Sequence, residues 1–172
     1  MKKKNEYEEL TNLEYSQLKV FHKLEEYKRI KNNELKFEKG YTKYDILWFI
    51  YNKQKDIYLN KKDYTMVSVV YNRMYEILKK EKKYNQALDF LLCCLYLRVY
   101  DNILYERHLV KFIKELKSIL KKNNINIDIF DDRYNFIINQ IKISIKKYLL
   151  YLYDDEKINI FQQKINEFLS TY

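Results

Sequence analysis

Adjacent thiols, Cys93 and Cys94, and two histidines, His22 and His108, are the residues of this 172-residue chain best suited to nucleophilic or metal chemistry. A catalytic cysteine works as a thiolate, so it needs a nearby cation or a helix N-terminus to lower its pKa. The pair instead lies inside KKYNQALDFLLCCLYL, residues 82 to 97, in the middle of an apolar helical pattern. There cysteine serves as a small hydrophobe. Neighbours on one helix do not readily bridge to each other, which points to free thiols and a reducing, cytoplasmic setting. A zinc site would have to join a cysteine with both histidines from three separate helices. Neither histidine has a Cys, Asp or Glu at helical spacing that completes such a set. No metal and no cofactor are expected.

Carboxylates gather at Asp131-Asp132 and at Asp154-Asp155-Glu156. Paired carboxylates can do acid–base or metal work. Both clusters, however, fall where helices begin, where acids cap free amides and complement the helix dipole. With one glycine the chain has no phosphate-cradling loop. The residues thus point away from an enzyme.

Lysine is the remaining candidate for function. The net charge is +9, and arginine occurs only as Arg29, Arg73, Arg98, Arg107 and Arg133. Runs at Lys79, Lys80, Lys82 and Lys83, at Lys121 and Lys122, and at Lys146 and Lys147 are candidate contacts to an acidic partner or to nucleic acid. Lysine lacks the planar fork that reads phosphate and guanine bidentately, so sequence-specific recognition is not indicated. The same runs also suit helix ends and solvated faces.

The elements that would position these residues read as helices. Hydrophobic residues make up 47% and charged residues 33% of the chain, which suits a single folded domain over 1–172 with a charged surface. Glycine and proline are too scarce for the turns of β-rich folds. An A/T-rich genome would also deplete Ala, Gly and Pro, so periodicity carries the argument. Lys2-Lys3-Lys4 is followed by acidic residues where a signal peptide would be apolar, and no stretch reaches the length of a membrane span.

Apolar spacing predicts an N-terminal helical segment over 5–36, broken or bent near 13–18, and a boundary at Gly40 with Thr42 as N-cap. A second helix over 43–59 presents Tyr44, Leu47, Ile50, Tyr51, Gln54 and Tyr58, with Trp48 beside them. Asp63 caps a third, whose stripe is Met66, Val67, Val70, Tyr71, Met74, Ile77 and Leu78. A fourth, 84–100, uses Ala87, Leu88, Leu91, Leu95 and Val99. A fifth covers 103–121, and 122–132 reads as an extended loop anchored by isoleucines. A sixth, capped by Asp131 or Asp132, carries its stripe through Ile141, Ile145, Leu149 and Leu152. A seventh follows Asp154-Asp155-Glu156. The fold class is all-α: an irregular antiparallel domain of about seven helices, with a repeat-like core over 43–121 and a C-terminal hairpin over 131–170.

Ala87 is the only alanine in the chain. Tetratricopeptide units are helix pairs of about 34 residues with large residues at set positions and small ones where the helices cross. Aligned on Ala87, a unit over about 68–100 places Tyr71, Met74, Leu78, Tyr84 and Leu91 at large positions and Cys94 at a second small one. Tyr75 and Val99 depart from the pattern. The segment from Lys82 to Leu88 resembles the turn and second-helix start of such a unit. More broadly, Tyr44-Asp45, Trp48, Asn52-Lys53-Gln54, Tyr64, Leu78 to Leu88 and Tyr96 resemble small proteins of unassigned activity in phages and prophages of Gram-positive bacteria. That resemblance implies a mobile-element protein acting by binding, for example one that inhibits or regulates a host protein such as a defence nuclease.

The expected function is a non-enzymatic helical protein–protein interaction module, with a concave surface lined by Tyr and Lys. The alternative is a basic nucleic-acid binder using the lysine runs and tyrosine stacking. Self-association through an exposed apolar stripe is a third reading.

Overall fold

The computed structural model describes residues 24–32, 42–101, 106–124 and 133–171. Among them the chain forms helices α1 (Glu25–Lys31), α2 (Lys43–Asn60), α3 (Tyr64–Lys80), α4 (Tyr84–Tyr100), α5 (Glu106–Lys122), α6 (Arg133–Tyr148) and α7 (Asp155–Thr171), with a short 3-10 turn over Leu150–Leu152 and no strand. The all-α expectation holds. The parts of the expected N-terminal segment outside 24–32, His22, the greater part of the 122–132 loop and the Asp131-Asp132 cap lie outside the described residues. The chain divides into two compact units, residues 1–63 and 64–172, so the boundary falls within the 43–121 segment.

In the first unit Thr42 starts α2 as expected. Its hydroxyl accepts the Asp45 amide, and the Asp45 carboxylate accepts the Thr42 amide at 2.7 Å, which closes a capping box. The predicted stripe turns inward: Leu47, Ile50, Tyr51, Gln54 and Tyr58 are buried. The Tyr27 hydroxyl of α1 meets that of Tyr51 at 3.0 Å.

The second unit is built around α4. Helices α3, α5, α6 and α7 all pack against it, and the run from Ala87 to Leu97 is buried apart from half-buried Asp89. A helix apolar on every side is one enclosed by neighbours. The stripe read from sequence is therefore only part of what α4 buries.

Helices α3 and α4 form an antiparallel hairpin. At its open end the Thr65 hydroxyl donates to the Asp101 carboxylate. In its middle the Cys94 thiol donates to the Ser68 carbonyl at 3.2 Å. Ala87, Ser68 and Cys94 are all buried. Small residues thus meet at the Ser68–Cys94 approach, and Ala87 is buried in the same hairpin.

The tight end of the hairpin turns on Lys82, at φ 60°. The Lys82 amide donates to Lys79 and the Lys83 amide to Leu78, at 3.1 and 2.9 Å. These two bonds close the carbonyls that a helix C-terminus leaves open. Glycine normally fills this left-handed position. A side chain there costs about 1–2 kcal/mol, which the two bonds and the packing of the hairpin offset. Lys62, at φ 55°, ends α2 in the same way.

One expectation needs correction. The stripe of the sixth helix was read through Leu152, but α6 ends at Tyr148 and the chain passes through Leu149 into the 3-10 turn. The Tyr96 hydroxyl donates to the Leu152 carbonyl and accepts the Asp154 amide at 2.9 Å. The Tyr71 hydroxyl donates to the Tyr148 carbonyl at 3.3 Å. Tyrosines from α3 and α4 therefore take over backbone groups that a continuing helix would have paired.

Candidate interaction surfaces

The thiols are buried at helix contacts. Cys93 donates to the Ser144 carbonyl at 3.6 Å, and Cys94 to Ser68. Burial pushes the Cys93 thiol well up, and the Asp89 carboxylate pushes it further. Burial also pushes Cys94 up to about 11, against the opposing pull of Arg98 and Lys111. Both are thiols at neutral pH, the reverse of what a nucleophile needs.

Half-buried Asp89 is a feature the stripe analysis passed over. Gln140 donates to its Oδ1 at 2.9 Å and Ser144 at 2.8 Å, which ties α4 to α6. Ser144 is fully buried, so its hydroxyl serves the helix contact and does not face a substrate. The visible signal was a lone carboxylate inside an apolar helix, which needs a partner.

The acids at 154–156 start α7 as expected. Asp154 Oδ1 accepts the Glu156 amide at 2.9 Å and the Lys157 amide at 3.4 Å. Among the described residues no three His, Cys, Asp or Glu side chains stand close enough to share a metal ion. His108 lies in α5, but its side chain is outside what is described.

The lysine runs separate into two places. Lys79 is held in a polar tie between α3 and α5: Glu115 accepts the Tyr75 hydroxyl, and Lys79 at 3.1 Å, while Glu76 pairs with Lys79 at 3.3 Å. Burial opposes the charge on Glu115, but the bonds from Tyr75 and Lys79 outweigh it and hold the carboxyl below its usual value. Tyr75, the misfit in the repeat pattern, is large because it reaches this carboxylate on α5.

Lys80, Lys82 and Lys83 lie at the exposed end of the hairpin, with Lys83 paired to Glu81 at 3.0 Å. The Lys122 ammonium stands 4.9 Å over the Tyr84 ring. It therefore brings the exposed Lys121–Lys122 end of α5 beside this turn.

Lys146 and Lys147 belong to a different surface. Lys146 lies 5.0 Å over the ring of Tyr153, and Lys147 5.1 Å over that of Tyr148. On the same helix and in the 3-10 turn that follows it, Ile143, Leu150 and Tyr151 are 58, 64 and 100% exposed. The inward stripe of α6 is legible in the sequence, whereas this outward apolar group is not. A second omission is the outer face of α5, where Lys111 and Lys114 are exposed between Arg107 and Lys121.

No helix among the described residues is long and apolar enough to cross a membrane. No protein-family model, curated protein or solved structure matches this chain.

Proposed function

We propose that this chain is a non-enzymatic helical interaction module that docks a partner protein through the knob formed by Ile143, Leu150 and Tyr151. The observation that carries this reading is the complete exposure of Tyr151 on a turn whose backbone is pinned to the core by Tyr96. Large apolar side chains held rigidly in water gain most from entering a pocket, and a tyrosine loses little conformational freedom in doing so. Lys146 and Lys147 flank the knob, so the occupant is a protein with an apolar pocket and an acidic rim. The enclosed position of α4 favours this convex surface over a repeat-type groove. The resemblance to phage and prophage proteins supplies a context: a host protein, such as a defence nuclease, blocked by occupation of its surface. Two unpaired cysteines suit a cytoplasmic setting.

The test uses the full chain and a Leu150→Ser, Tyr151→Ser double variant in affinity capture, followed by titration of the purified captured protein. Recovery of one protein by the parent chain, loss of it by the variant and unchanged melting would support docking. A stable dimer of the parent chain that the variant dissolves would assign the knob to self-association instead.

A further inference from the structure

We infer that the outer face of α5 is a contact surface for the phosphate backbone of duplex nucleic acid, separate from the knob on α6 and independent of the docking reading. In α5, Arg107, Lys111, Lys114, Lys117, Lys121 and Lys122 fall at helical spacing on one side. At about 100° per residue they occupy an arc of roughly 140°, and they run for about 22 Å along the axis. Among the described exposed side chains of this helix, Ser118 alone is uncharged.

The helix cannot rotate to disperse that charge. Phe112, Ile113, Leu116, Ile119 and Leu120 are buried on the opposite side, and Phe112 packs against Phe161 of α7 with ring centroids 6.1 Å apart. Glu115, an acid of the same helix, gives its carboxylate to Tyr75 and Lys79. At the C-terminal end, Lys122 over Tyr84 joins the face to exposed Lys82 and Lys83 on the hairpin turn.

A basic composition does not by itself produce such a face. Helix α7 has the same 17 residues of length, yet the exposed positions among its described side chains are Asp155, Glu156, Asn159, Gln163 and Glu167, none of them basic. Like charges at helical spacing repel one another, so the arrangement on α5 weakens the fold and is relieved by a polyanion. The chemistry of the face narrows which one. Its described exposed side chains include no apolar residue to enter a bilayer or a protein pocket. Tyr84, the aromatic at its end, is covered by Lys122 and offers no stacking platform for single strands. With Arg107 the one arginine among these six cations, the face holds little of the planar fork chemistry that reads base edges. What remains is sequence-indifferent contact with the closely spaced phosphates of a duplex.

The experiment is fluorescence anisotropy of the full chain with two duplex DNAs of unrelated sequence, at about 50 mM and about 200 mM salt. The parent chain should bind both equally, at micromolar concentration, and weaken steeply with salt. Replacing Lys111, Lys114, Lys121 and Lys122 together by Gln should weaken binding at least roughly tenfold and flatten the log–log salt slope by about 3–4. Replacing the same four by Arg should preserve binding, which separates charge loss from misfolding. A Lys146→Gln, Lys147→Gln control should bind as the parent does. The inference is overturned by no duplex binding at low salt, by equal loss in the control, or by binding confined to single strands or to phosphatidylserine vesicles.

Discussion

Ala87 is the residue on which the α3–α4 crossing turns. It is fully buried in the α3–α4 hairpin, where Cys94 and Ser68 make a close approach. A branched side chain there has no space, so Ala87→Leu should lower stability by about 1–3 kcal/mol through overpacking, measured by urea denaturation. The cysteines make a second residue-scale test. They are the only two in the chain, and both are buried protonated thiols. A thiol reagent at neutral pH should label neither in the folded chain and both after denaturation. Rapid labelling of the native protein would contradict their packing role. At this scale the sequence was informative where chemistry restricts the options. A lone alanine in a chain starved of it lies at a fully buried position, and the mid-helix thiols are buried too. The role of Tyr75 is not legible in the sequence because its partner lies on another helix, and no local spacing reveals a carboxylate 40 residues away.

The helices themselves were legible because apolar periodicity, the Thr42 cap and the acids before α7 agree with one another. The end of α6 was not. Ile145, Leu149 and Leu152 keep helical spacing across the break, and no glycine or proline marks it. The break is made by tertiary hydrogen bonds to Tyr96 and Tyr71. Tyr96→Phe should therefore cost about 1–3 kcal/mol by leaving the Leu152 carbonyl and the Asp154 amide without their partner. The loss should appear as faster amide exchange around residues 149–154. The α3–α5 tie gives a pH test. Glu115 is ionised at lower pH in the folded chain than its usual value of 4.5 allows when unfolded. Its stabilisation is complete above that value and fades as pH falls through the lowered folded value. Glu115→Gln should flatten the acid side of the stability profile. An unchanged profile would remove Glu115 from the account. The basic face of α5 escaped notice for a related reason. Adjacent lysines stand out in a sequence, whereas cations at helical spacing do not.

For the molecule as a whole, the distinction that matters is between what is enclosed and what is presented. Helix α4 is surrounded, which removes it as the lining of a groove. Among the described residues of the second unit, the exposed large apolar side chains are Ile143, Leu150 and Tyr151, and exposed cations line α5. Fold class followed from composition and period together, because both describe the chain locally. Surfaces did not, because which face a helix presents depends on how many neighbours it acquires. The most direct measurement is site-specific photocrosslinking in the native host, with the probe placed at Tyr151 and, as a control, at Asn159 on the outer face of α7. Docking through the knob predicts a discrete adduct with one partner protein from position 151 and none from 159. Adducts to a second copy of the chain, or equal labelling from both positions, would contradict it.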